Sequence, residues 1–196
     1  MSRARLAWGA LVLLAAAAVL ALVVGGAVGR KIVPAPAPAK RVPPTVRFAD
    51  TLTDVAVSYP ATWRRRSPRD QAVRLVAASP DESVGVSISV RKSGLEPVTG
   101  GTLPVVRPLT DDLLRADSRI NGVPTPVAVT LDGLPGYRYQ YTYRTPDGGD
   151  GAHVHYFLFE DRRLIQLVLQ AMPAARLAKE EPTFGSIAGT FRADGG

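Results

Sequence analysis

The sequence predicts an α+β fold, an antiparallel sheet carrying helices and preceded by one transmembrane helix. Three observations carry this. Tyr137, Tyr139, Tyr141 and Tyr143 alternate with Arg138, Gln140, Thr142 and Arg144, the period of a strand with two unlike faces. Two more strand-like runs, residues 152–160 and 163–170, follow the turn-rich stretches 145–151 and Asp161-Arg162. Residues 6–28 form a run of 23 without a charge, long enough as a helix to cross about 30 Å of hydrocarbon.

From the amino terminus, residues 1–29 read as a signal anchor, with Trp8 at the start of the apolar run, where an amphipathic ring suits the membrane interface. Ala27-Val28-Gly29 resembles a small-residue cleavage site, but the apolar run exceeds the 7–15 residues usual in a cleaved signal. Length therefore favours an uncleaved single-pass anchor in the cell membrane. Arg3 and Arg5 flank one side, and Arg30, Lys31, Lys40 and Arg41 the other. A plain charge count would leave the large domain in the cytoplasm. A long carboxy-terminal domain crosses largely regardless of such charges, so it is read as extracytoplasmic. Residues 30–46 are a Pro/Ala-rich linker, within which residues 33–44 make a polyproline spacer of roughly 35 Å.

The globular part is assigned to residues 47–193. Residues 48–59 read as a first strand with Val55, Val57 and Tyr59 on one face, ended at Pro60, which cannot donate to a ladder. Trp63 is expected to fill the core edge. Arg64, Arg65, Arg66 and Arg69 read as a solvated basic turn, with contact to anionic headgroups or an acidic partner as the sharper alternative. Residues 72–78 and 84–91 make a hairpin about Ser79-Pro80-Asp81-Glu82, and the Gly- and Pro-rich residues 93–108 read as a long loop. Thr110 is expected to cap a short helix with Asp111 and Asp112 in its first turn. Its apolar side is Leu109, Leu113, Leu114 and Ala116, and Asn121-Gly122 ends it. Residues 127–131 form a strand that turns at Asp132-Gly133 into the tyrosine strand.

The Asp161-Arg162 turn pairs Glu160 with Arg163, setting Leu158 opposite Ile165, Tyr156 opposite Leu167 and Val154 opposite Leu169. That face is core. The register of the tyrosine strand is open to a one-residue slip, which would exchange its faces. The preferred register adds the tyrosines to the apolar face and leaves Arg138, Gln140, Arg144, His153, His155 and Gln170 on the other. Beyond the meander, Pro173 starts a helix. Phe184, Ile187, Ala188 and Phe191 make a stripe expected to cover Phe157, Phe159 and Leu164.

Composition narrows function. Six of the 24 Lys and Arg lie before Val42 and all 17 Asp and Glu lie after it, so the +7 net charge falls to +1 beyond the membrane flank. Nucleic-acid binding needs a concentrated basic face, so nucleic acid is not an expected partner. There is no cysteine, hence no disulfide, thiol nucleophile or lipid-anchored cysteine.

The order of Tyr59-Pro60-x-x-Trp63, a hairpin, a short helix, Gly133-Leu134-Pro135-Gly136-Tyr137 in a meander and Phe184-x-x-Ile187-x-x-x-Phe191 resembles the PsbP-like α/β/α sandwich family. The likeness runs from Phe48 to Phe191. It is greatest to bacterial membrane-anchored or lipoprotein members of unknown function. The resemblance implies an antiparallel sheet with helices on both faces and a family that mostly binds partners. It carries over no catalytic residue.

His153 and His155, at i and i+2, share a strand face as two metal ligands would, but Asp147 or Asp150 would have to supply a third. Polar strand residues are the simpler reading, and neither metal nor cofactor is expected. No nucleophile elbow or phosphate-binding glycine loop occurs, so no enzyme is expected. Function is read as a non-catalytic adaptor binding a protein partner through Arg138, Arg144, His153 and His155. The alternative is an envelope carrier of a small ligand or lipid.

Overall fold

A computed structural model describes residues 43–120 and 122–193. The expected anchor, the linker as far as Val42, and Asn121 lie outside the described residues. Among the described residues no helix is long and apolar enough to cross a membrane.

Seven strands pair antiparallel in the order β3-β4-β5-β9-β8-β7-β6, where β3 is Arg64–Arg65, β4 Val73–Ala78, β5 Val84–Lys92, β6 Val127–Leu131, β7 Leu134–Arg144, β8 Asp150–Glu160 and β9 Arg163–Ala171. The strands of this sheet's core follow from alternation and turn chemistry. Asp132 and Gly133 both take positive φ (50° and 78°), the backbone of a two-residue hairpin turn. Asp161 does so at 47° in the β8–β9 turn, and Glu160↔Arg163, Leu158↔Ile165, Tyr156↔Leu167 and Val154↔Leu169 pair as expected.

The stretch expected as one first strand is a hairpin. β1 (Thr45–Asp50) and β2 (Val55–Pro60) form a separate two-stranded sheet turning at Thr51–Asp54, where Asp54 has φ 52°. β1 begins at Thr45, inside the stretch assigned to the linker. The hairpin is fastened to the larger sheet by Arg74, whose Nε and Nη2 donate to the Asp50 carboxylate at 2.5 and 3.0 Å. Arg74 first, with Thr53 and Leu52 assisting, holds that carboxyl down to about 2 against the opposing effect of burial.

Two helices cover opposite faces. α2 (Leu177–Gly189), entered through a 3-10 turn at Ala174–Arg176, packs Phe184, Ile187 and Ala188 with Phe191 and the hairpin against Val154, Tyr156, Leu158, Ile165, Leu167 and Leu169. Trp63 is buried in this layer as expected, with 9% exposure. α1 (Leu103–Arg115) packs Leu103, Val106 and Leu114 against Tyr137, Tyr139, Phe157, Phe159 and Leu164. The expected cover is thus exchanged. α1, not the carboxy-terminal stripe, lies over Phe157, Phe159 and Leu164.

α1 also starts seven residues before Thr110, inside the expected loop. Pro104 fits a first helical turn, where its missing N–H is no loss, while Pro108 sits within the helix. The buried residues Leu103, Val106, Thr110 and Leu114 recur at helical spacing, and their packing outweighs the proline penalty. Thr110 is therefore a buried mid-helix residue rather than a cap, and the helix ends at Arg115, before Asn121-Gly122.

β7 and β8 pair with Tyr137↔Phe157, Tyr139↔His155 and Tyr141↔His153, one residue away from the preferred register. Glycines fit this pairing. Gly136 faces Leu158, and a Cβ there would lie 2.2 Å from the Phe157 carbonyl oxygen; Gly151 faces Tyr143, whose ring would lie 2.4 Å from an added Cβ. Gly136→Ala should therefore cost about 3 kcal/mol, because backbone rather than a flexible side chain blocks it. Gly185→Ala, in helix α2 with no atom within 4 Å of the new Cβ, should be neutral or stabilise by about 0.5–1 kcal/mol. Urea denaturation of the two variants checks the contrast, and equal losses would contradict it.

Candidate functional site

The β7 alternation splits the sequence-derived candidates. Tyr137, Tyr139, Tyr141 and Tyr143 point with His153 and His155 toward the α1 side; Arg138, Gln140, Thr142 and Arg144 pair with Tyr156, Val154, Ala152 and Asp150 and belong to the α2 side. The expected grouping of Arg138, Arg144, His153 and His155 on one surface is not formed. The one-residue register difference keeps the two arginines together and sends the two histidines to the opposite face.

The histidine side is filled and internally satisfied. Tyr141 Oη lies 3.0 Å from His155 Nδ1 and 3.2 Å from His153 Nδ1, while the two Nε2 atoms reach Gln166 Oε1 and Gln170 Oε1, each at 3.2 Å. The glutamine oxygens only accept, so each neutral imidazole donates through Nε2 and presents Nδ1 as an acceptor, and the single Tyr141 hydroxyl proton serves one Nδ1 at a time. His155 stacks on Phe157 at 4.0 Å between ring centroids, and His153 lies 4.3 Å from the Tyr143 ring. Nearer α1, Tyr139 Oη donates to Asp111 Oδ1 at 2.7 Å and meets Thr110 Oγ1 at 2.6 Å, and Tyr137 Oη donates to the Leu103 carbonyl at 3.1 Å.

Burial sets the protonation states. It pushes the Tyr139, Tyr141 and Tyr143 phenols up, keeping them protonated donors, and pushes the His153 imidazole down. His155 is driven down to about 3, first by burial and then by His153. A neutral imidazole whose ring nitrogens are both engaged must break a Tyr141 or glutamine contact before it can take a proton or a metal. Among the described residues no group of three or more His, Cys, Asp and Glu is placed to hold a metal ion.

An open groove of about 670 Å³ runs past the edge of this network, reaching His153, Gln170, Arg119 and the turn acids Asp81, Asp147 and Asp150. Apart from Asp150, these charges are already committed. Arg119 binds Asp117 at 2.6 Å, the Ser79 and Ser83 hydroxyls hold the Asp81 carboxyl far below its usual range, and Thr145 binds Asp147.

The α2 side is different. Arg138 and Gln140 line a cleft of about 590 Å³ floored by Val154, Tyr156 and Phe184 and walled by Ala174, Ala178 and Gly185 of the carboxy-terminal helical segment, with Glu181 at the rim. Thr142 and Arg144 line a second hollow of about 350 Å³ along the same strand. Arg138 Nη2 donates to Gln140 Oε1 at 2.9 Å. The histidines and arginines were legible as candidates, but the cleft was not. Its only signal is the outward run of small residues on the helix, Ala174, Ala175, Ala178 and Gly185, opposite polar strand positions.

This arrangement, a helix-covered antiparallel sheet with a second hairpin layer, is similar to that of cyanobacterial PsbP (CyanoP) from Synechocystis. The TM-score is 0.59 at 15% identity, over 80% of this chain and 96% of that one. The chain has the PsbP-like fold. LpqN of Mycobacterium tuberculosis, involved in cell envelope biogenesis, is also similar, with a TM-score of 0.51 at 14% identity over 76% of this chain and 84% of that one. No protein-family model and no curated protein matches the sequence.

The buried imidazoles of this PsbP-like domain make its stability pH-dependent. His155 titrates near 6.5 when unfolded and near 3 when folded, so the unfolded chain takes up a proton that the fold refuses. Stability is complete well above pH 6.5 and falls on acidification below it, the slope approaching about 1.4 kcal/mol per pH unit towards pH 5, with His153 acting in the same sense. Denaturation free energies between pH 7.5 and 5 should show this slope, and His155→Gln should remove its share. An unchanged slope in that variant would contradict the assignment.

Proposed function

We propose that the protein is a non-catalytic, extracytoplasmic binding domain, with residues 1–29 as a single-pass anchor, 30–46 as a spacer and 47–193 as the domain that engages a protein partner. The observation that carries this is the contrast between the two faces of β7. On the α1 side the hydroxyls and imidazoles are consumed by one another. On the α2 side Arg138, Gln140, Thr142 and Arg144 form a polar row beside a cleft, with exposed groups available to a partner. The fold shared with LpqN, a protein involved in cell envelope biogenesis, supports an envelope setting.

A second reading, a carrier of a small ligand or lipid, is favoured by one observation. The cleft's volume of about 590 Å³ and its Val154, Tyr156 and Phe184 floor fall in the range of small-molecule sites.

Photo-crosslinking in intact membranes separates the two. A benzophenone amino acid at Gln140 should give a discrete protein adduct that a probe at exposed Thr62 does not give and that Arg138→Glu with Arg144→Glu removes. Adducts with lipid alone would favour the carrier and overturn the adaptor. Added protease should reach the domain from outside in cells with intact membranes; cleavage only after lysis would overturn the topology.

A further inference from the structure

The cleft beside α2 combines an apolar floor with a guanidinium that lacks an acidic partner among the described residues. Many arginines of the domain pair with acids, as Arg74 does with Asp50 and Arg163 with Glu160, and Arg64 and Arg69, which do not among the described residues, are exposed. Arg138 is half-buried, yet among the described residues its side chain bonds only the neutral Gln140 amide oxygen. Glu181 stands at the same rim but is exposed and makes no ion pair with Arg138 among the described residues. Six residues along the strand and on the same face, Arg144 is exposed, and its ladder partner Asp150 makes no ion pair with it. A half-desolvated guanidinium with only a neutral partner is poised for a carboxylate, where a charge-assisted, two-pronged contact is strong.

We propose that an extended acidic segment of the protein partner lies along β7 and bridges the two separate hollows that Arg138 and Arg144 line. One carboxylate meets Arg138, a second meets Arg144, and an apolar side chain between them rests on Val154, Tyr156 and Phe184. The proposal rests on the adaptor reading and names the chemistry its partner must present. Arg138 and Arg144 are six residues apart, about 20 Å along a strand. Acidic side chains at i and i+6 of an extended segment share one face and match that spacing. A single lipid headgroup presents its charge at one point and cannot meet two cations so far apart. Glu181 and Asp150 repel a dense polyanion and leave isolated carboxylates as the preferred ligand, which also disfavours nucleic acid.

The test selects a displayed random nonapeptide library on the full chain in detergent. Enriched peptides should carry Asp or Glu six residues apart with an apolar residue between. A fluorescein-labelled enriched peptide should bind at least about tenfold more weakly to Arg138→Gln and to Arg144→Gln. Ala178→Trp, which places an indole in the cleft from an exposed helix position, should abolish binding while leaving the thermal midpoint unchanged. Enriched peptides without the acidic spacing, or binding retained by Ala178→Trp, would overturn the proposal. So would phosphatidylglycerol vesicles that displace the peptide and bind with the same dependence on Arg138. A Gln140 protein adduct together with failure to enrich acidic peptides sinks the acidic segment alone. Absence of both sinks the adaptor reading with it.

Discussion

Three tyrosine hydroxyls, of Tyr137, Tyr139 and Tyr141, and two imidazoles on one strand pair are buried with partners, and that requirement settles how the sheet is layered. A buried phenol without an acceptor forfeits the full desolvation cost of its hydroxyl. The inner side of α2 offers Phe184, Ile187 and Ala188, none of which accepts a hydrogen bond. The α1 side offers the Leu103 carbonyl, Thr110 and the Asp111 carboxylate, and β9 contributes Gln166 and Gln170. The tyrosines therefore turn toward α1. The pairing of β7 with β8 follows, and Gly136 and Gly151 leave room for Leu158 and Tyr143 across the ladder.

One consequence reaches function. Once the tyrosine face is committed to α1, the alternate residues of β7 must emerge beside α2. That helix and the 3-10 turn before it are lined there by Ala178, Gly185 and Ala174, whose small size does not close the gap to the strand. The same alternation thus produces a satisfied, desolvated network on one side and an open polar row above an apolar floor on the other. Residues able to form hydrogen bonds are numerous on the first face, but those free to bind something else lie on the second.

Much of the architecture was legible in the sequence. The β8–β9 pairing followed from a two-residue turn and continuous apolar alternation, the burial of Trp63 from its place after Tyr59-Pro60, and the PsbP-like fold from the order of motifs. Three things were hidden for physical reasons. The five residues 145–149 between β7 and β8 do not fix register as a two-residue turn does, and a slip of one exchanged the faces. Pro104 and Pro108 disguised the first two turns of α1, which tertiary packing rather than local propensity sustains. Asp54 adopts a left-handed turn without the glycine that would have announced the β1–β2 hairpin. At the candidate site, the chemistry-bearing residues were visible, but their division between faces depended on that slip. The cleft itself is a property of what small residues leave unfilled, for which a linear pattern has no strong signature.

The β7–β8 register is the claim on which both faces depend, and nuclear Overhauser contacts measure it directly. Cross-strand peaks should join Tyr139 with His155 and Tyr141 with His153, with ring contacts between His153 and Tyr143 and between His155 and Phe157. Peaks joining Tyr141 with Val154 and Tyr139 with Tyr156 in their place would return the tyrosines to the α2 side and contradict the account.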